Sequence, residues 1–193
     1  MKKLAVDRAH ERYQRAAAAL AQFKAARSYR DAEAAWTDFL IACGSFFSKL
    51  QEGVKGVDAS EYWYGLKKYQ RKTDPILNYL HKARNSDEHG IEYVTARGVD
   101  GGFNLGFGEK KEFIIQAVDP ATLIPIDDPD LISKGWSYGP HVKLIRVFDR
   151  KHNTICDPPY SAIFPGADPA VVGDDALEKL AKILTEAEGL IWR

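Results

Sequence analysis

The chain is poor in sulfur, lacks long apolar runs and has no net charge. It holds two cysteines and one methionine in 193 residues. Cys43 and Cys156 are far apart and form no CxxC pair, which argues against a disulfide framework or a zinc knuckle and for a reducing compartment. No stretch approaches the ~20 consecutive apolar residues of a membrane span. The opening MKKLAVDRAHERYQR lacks the apolar core of a secretory signal, so a soluble, unprocessed cytoplasmic protein without a membrane partner is expected. Lys plus Arg and Asp plus Glu both number 27, a balance unlike the basic excess of generic polyanion binders. Aromatic groups are plentiful. Nine Phe, nine Tyr and four Trp supply packing bulk that disordered chains lack. At ~150 residues per domain, the length suits one domain or two small ones sharing a core.

Proline and glycine are scarce in the first 90 residues, where Pro75 is the sole proline and Gly44, Gly53, Gly56, Gly65 and Gly90 are the glycines. That half reads as helical. A first helix is expected over 4–26, with Leu4, Tyr13, Ala17, Leu20 and Phe23 on one side. A second is expected over 30–52, where Trp36, Phe39, Leu40, Cys43, Phe46, Phe47 and Leu50 follow the i, i+3, i+4, i+7 rule of a core helix ended by Gly53 and Gly56. A third, over 58–71, would be capped by Asp58 or Ser60. The fourth has clear boundaries over 75–89: Asp74 as N-cap, Pro75 in the first turn and Gly90 at the left-handed C′ position.

After Gly90 the pattern turns to short β-rich segments at 91–96, 102–108, 111–118, 121–126, 141–149 and 153–157. Asp100-Gly101-Gly102 and the stretch from Asp149 to Asn153 read as turns of an antiparallel meander or small curled sheet. A closing helix is expected over 174–190, with Asp174 and Asp175 at its positive end. The fold class is α+β: an N-terminal helical bundle (1–90), then a β-rich region with a small antiparallel β-sheet and a C-terminal helix (91–193). The charge divides at the same place. Residues 1–90 carry 16 basic and 11 acidic groups, and 91–193 carry 11 and 16, so the neutral total conceals a basic half and an acidic one. Electrostatics therefore permits a polyanion at one end of the molecule.

The fourth helix carries the candidate chemistry. With Leu77 at the origin and ~100° per residue, Leu80 falls near ~300° and Arg84 near ~340°, so Arg84 projects from the apolar stripe. A guanidinium cannot shed its proton there and needs an anion or many acceptors. His81, Asn85 and His89 form a polar strip beside it, and Glu88 stands four residues on, placed for an ordinary i, i+4 ion pair. Read without further context, such a pair with surface histidines is the plain alternative. His81 and His89 lie ~12 Å apart along the axis, too far to share one ion, so no metal or other cofactor is expected.

The run Arg84-Asn85-Ser86-Asp87-Glu88-His89 resembles the R-N-x-x-x-H signature of the HEPN superfamily (higher eukaryotes and prokaryotes nucleotide-binding). The resemblance covers about residues 1–90 and leaves out the β-rich half. It implies a helical bundle with the motif near the end of a long helix. It further implies a homodimer and, as in many members, a metal-independent endoribonuclease of toxin–antitoxin, abortive-infection or CRISPR systems, with an antitoxin as one kind of protein partner. Carried onto this chain, Arg84 would hold phosphate, Asn85 would orient phosphate or imidazole, and His89 would transfer protons.

Chemistry gives these residue types a purpose. Cleavage without metal needs a base for the ribose 2′-OH, an acid for the leaving 5′-oxygen and cations on the phosphorane charge. One histidine cannot readily fill both proton roles in a single step, which favours two motif helices meeting across a dimer axis. His81 is a further candidate for acid–base or RNA contact. Nearby, Tyr62-Trp63-Tyr64-Gly65-Leu66-Lys67-Lys68-Tyr69-Gln70-Arg71-Lys72 interleaves aromatics with Lys67, Lys68, Arg71 and Lys72, a candidate RNA path. Its plain alternative places Trp63 and Leu66 in the core and the lysines in water. Other motifs are weak: Gly101–Gly108 lacks a phosphate-loop context, Asp127-Asp128-Pro129-Asp130 lacks calcium-loop spacing, Ser45 and Ser137 lack acid–base partners, and His141 and His152 read as surface groups. The alternative function is a non-catalytic dimeric binding protein whose bundle mediates association and whose β-rich half takes a partner or ligand.

Overall fold

Aromatic and aliphatic side chains at helical spacing build the centre of the protein. In the computed structural model, which describes residues 1–89, 93–103, 136–149, 153–160 and 168–191, α2 (Tyr29–Val54) is the central helix. Trp36, Phe39, Leu40, Phe46 and Leu50 are fully buried along it. Ser28 caps it, its hydroxyl accepting from the Asp31 N–H at 3.1 Å. α1 (Lys3–Ala25) packs antiparallel to α2, with Phe23 against Trp36 at one end and Ala5 against Gly53 at the other. Gly53 lies within α2 and does not end it. A Cβ there would stand 2.3 Å from that of Ala5, so glycine serves a close helix crossing while Gly56, at φ +82°, makes the turn. Leu4 is exposed, contrary to the expected stripe, and Val6, Ala9, Ala16, Ala19 and Leu20 form the buried face of α1.

α3 (Asp58–Thr73) begins differently from expectation. Its N-cap is Val57, with no side-chain cap bond; the Glu61 carboxylate instead reaches back to the Gly56 N–H at 2.8 Å. α4 (Pro75–His89) starts at the expected residue, with Asp74 Oδ1 accepting from the N–H groups of Ile76 (3.0 Å) and Leu77 (3.1 Å). The C′ position expected for Gly90 lies outside the described residues.

The β-region forms two antiparallel two-stranded ladders among the described residues: β1 (Thr95–Phe103) with β2 (Trp136–Leu144), and β3 (Val147–Asp149) with β4 (Thr154–Cys156). Asp100-Gly101-Gly102 is not a turn. It pairs within β1 opposite Gly139, Tyr138 and Ser137. The stretch 141–149 is likewise not one strand, since a break at Ile145–Arg146 divides it between the two ladders. Asp149 pairs opposite Thr154 and Asn153 stands at φ 52°, while residues 150–152 of the expected turn lie outside the described residues. The segments at 104–108, 111–118 and 121–126, Asp127–Asp130 and His152 lie outside the described residues.

α5 (Pro169–Gly189) begins five residues before expectation, with Asp168 as N-cap and Pro169 opening the helix. Asp174 and Asp175 therefore sit in its second turn, where Asp174 pairs with Lys24 at 2.6 Å and Asp175 accepts from the Tyr160 hydroxyl at 2.7 Å. α5 lies along α1, where Gly173 receives Leu20, and crosses to α3 and α4 through Lys67–Glu186 and Lys179–Asp74 ion pairs. A single apolar core joins all five helices to Val94, Leu144 and Val147 of the β-region. The fold is α+β and mostly helical.

Candidate functional site

α4 is held from three sides, and its last two turns gather the polar side chains. Ile76, Leu77, Tyr79, Leu80 and Ala83 face the core. The Tyr79 hydroxyl donates to the Ile145 carbonyl at 2.7 Å, tying α4 to the β-region, and burial raises its pKa far above the ordinary phenol value. Lys82 faces Asp149 at 3.6 Å. Asp87 accepts from Thr37 of α2, and burial beside Glu88 raises its carboxyl pKa.

Arg84 rises beside α2 at Gly44. A Cβ at position 44 would lie 3.3 Å from Arg84 Nε and 3.4 Å from Cδ, so the missing side chain makes the notch in which the arginine stem rests. Its Nη1 donates to Asn85 Oδ1 at 3.2 Å and its Nη2 pairs with Glu88 Oε2 at 2.5 Å, while Nε is shielded from water without an acceptor. The i, i+4 pair foreseen in the sequence is formed. Asn85 Nδ2 stands 3.5 Å from His81 Nε2, at the outer limit of a hydrogen bond.

His81 is half-buried among cations. Burial first, then the charges of Arg71 and Arg84 and a smaller push from Lys82, lower its pKa to about 4, with Asp149 opposing. The imidazole is thus neutral at pH 7. Arg71 comes from α3 and folds inward, its guanidinium carbon 4.8 Å from the centre of the Phe47 ring. Burial lowers its pKa, and its Nε is shielded without a partner. No carboxylate pairs with Arg71 among the described residues. Arg71 and His81 share the wall of a cavity of about 20 Å³ with Cys43, Gly44, Phe47 and Leu80, room for about one water. Burial drives the Cys43 thiol pKa far up, which leaves it a small apolar wall and no nucleophile.

The expected candidates therefore separate. Arg71, His81, Arg84 and Asn85 come together where α2, α3 and α4 meet. Lys67 does not join them: it turns toward α5 and binds Glu186 at 2.6 Å, and Glu186 also accepts from the Trp63 indole at 2.8 Å. Lys68 and Lys72 are exposed on α3. Leu66, which the plain alternative placed in the core, is 51 % exposed, in line with Tyr62 and Tyr69, because α3 buries chiefly Tyr64 and Ser60. His89 closes α4, and its side chain lies outside the described residues. Sequence spacing missed Gly44 and Phe47. Both look like routine members of α2, and only the crossing of α4 and α3 over them makes them site residues.

Among the described residues no helix is long and apolar enough to cross a membrane, and no group of three His, Cys, Asp or Glu is placed to hold a metal ion. No protein-family model matches the chain, and no curated protein or solved structure is significantly similar to it.

Proposed function

We propose that the chain is a HEPN-like, metal-independent endoribonuclease acting as a homodimer, with Arg84, Asn85 and His89 at its centre. The supporting observation is the seating of Arg84. Its half-buried guanidinium is held in the Gly44 notch by Asn85 and Glu88, one and a half turns before His89 on the same helix. A cation fixed by packing suits the charge that develops on a phosphorane, because it need not reorganise as the reaction proceeds. In the reaction the ribose 2′-oxygen attacks phosphorus, the bond to the 5′-oxygen breaks, and a 2′,3′-cyclic phosphate and a 5′-hydroxyl result. His89 takes one proton-transfer role, and His89 of the second copy takes the other. His81, neutral at pH 7, can accept a proton or a hydrogen bond but is a poor acid there.

RNA incubated in EDTA with wild type, Arg84→Ala and His89→Ala tests the proposal. Cleavage leaving 2′,3′-cyclic ends in wild type, reduced at least ~100-fold in both variants, is expected from the loss of fixed charge or proton transfer. Inactivity of the wild type across varied RNAs overturns it. The Arg84–Glu88 pair favours the second reading, a non-catalytic dimeric protein that binds RNA or a protein partner through the bundle and its β-rich half. On that reading the wild type binds its partner and cleaves nothing.

A further inference from the structure

We propose that Arg71, His81 and Arg84 form a binding site for a phosphate group at the mouth of the cavity between α2, α3 and α4. Arg71 carries the argument. The other cations of α3 are either paired, as Lys67 is with Glu186, or exposed, as Lys68 and Lys72 are. Arg71 is drawn inward and stacked on Phe47 and, unlike Lys67, has no carboxylate among the described residues to balance it. A guanidinium cannot neutralise itself, so this arrangement costs free energy that a bound anion would offset.

The charges around the imidazole decide what that anion is. His81 faces Arg84, Lys82 and Asn85 on its own helix, Arg71 on α3 and Asp149 on β3, while α2 contributes the un-ionised Cys43 to the shared cavity. Lys82 is offset by Asp149 and Arg84 by Glu88, which among the described residues leaves the Arg71 charge over. Counted over the described residues, the site is one positive charge in excess with His81 neutral and two with it protonated. Those are the charges of a phosphodiester and of a phosphate monoester. Donors arriving from two helices and from both guanidinium and imidazole groups also suit a tetrahedral oxyanion better than a flat carboxylate. The cavity itself holds about one water, so the phosphate sits at its mouth, where it competes with Glu88 for Arg84.

Proton linkage follows. An anion beside His81 favours the imidazolium, so binding takes up a proton and tightens as the pH falls. The assignment of the phosphate to RNA rests on the ribonuclease reading; the site itself does not.

Calorimetry on the full chain with sulfate tests the site, because sulfate remains a dianion between pH 5.5 and 7.5 and any titration then belongs to the protein. Saturable binding is expected, about tenfold tighter at pH 5.5, together with movement of the His81 ring signals in the NMR spectrum. Arg71→Met keeps an apolar stem on Phe47 and should weaken binding about tenfold or more, whereas His81→Gln should remove the pH dependence. Should Arg71→Met fail to fold, Arg71→Lys replaces it, with intermediate affinity expected. No saturable sulfate binding, or wild-type affinity in the Arg71 variants, overturns the proposal. A 2′-deoxy dinucleotide and a nucleoside 3′-phosphate then distinguish an internal from a terminal phosphate. Sulfate binding without RNA cleavage leaves the site standing and removes the ribonuclease reading; cleavage without sulfate binding does the reverse.

Discussion

Two residues set the electrostatics of the α4 site, and each yields a prediction. His81 has a folded pKa of about 4 against an ordinary 6.5. Between those values the unfolded chain binds a proton that the folded chain refuses, so stability rises with pH across this window. The stabilisation is complete above pH 6.5 and lost as pH falls toward 4. Since the ring is only half-buried, solvent screening reduces the effect to about 1–2 kcal/mol. Urea midpoints measured from pH 7 to pH 4 should fall more steeply for wild type than for His81→Gln, and equal slopes would refute this. Gly44 sets the height at which Arg84 sits. Gly44→Ala forces the arginine to yield by a few tenths of an ångström, while the added methyl favours helix by ~0.5–1 kcal/mol. Stability should therefore change by less than ~1 kcal/mol while any RNA cleavage falls, a split visible by comparing melting with turnover. Arg84's conflict with the apolar stripe was legible in the sequence because a helical wheel needs only spacing. Its notch was not, since Gly44 gains that role only where two helices cross.

At the scale of elements, α4 depends on its first turn. Asp74 caps two N–H groups and also binds Lys179 of α5 at 2.7 Å, so it joins helix initiation to tertiary packing. Asp74→Ala should cost about 1–2 kcal/mol, and Asp74→Asn clearly less, because an amide retains the cap and loses mainly the ionic attraction. Denaturant midpoints would show the order, and equal losses would mean the cap contributes little. Where α5 meets α1, a Cβ on Gly173 would stand 2.4 Å from Leu20 Cδ1. Gly173→Ala should overpack that crossing by about 1–3 kcal/mol, in contrast to Gly44→Ala. These cases explain which elements could be read in advance. α2 and α4 have strong periodicity and local caps. α3 has neither a side-chain N-cap nor a wide buried face, and a start at Pro169 places α5 ahead of its densest apolar run. In β1, Asp-Gly-Gly carries a turn signature that ladder pairing overrides.

For the whole molecule, the proposed chemistry requires two copies. Sedimentation should give a dimer, and adding excess His89→Ala protein to wild type should suppress cleavage, because a mixed cleft keeps one His89 and so only one of the two proton-transfer groups. A strict monomer that cleaves RNA would contradict that arrangement. The sequence by itself determined the α+β class, the helical first half, the placement of α4 and the division of charge at Gly90, because spacing, caps and composition act over a few residues. Tertiary structure alone decided that α5 returns to α1, that Lys67 is spent on Glu186, and that Arg71 leaves the exposed side of α3 to meet His81 and Arg84. Which cations are paired and which remain for an anion depends on contacts between residues distant in the chain. A net charge of zero therefore hides a half-buried guanidinium with no carboxylate partner among the described residues.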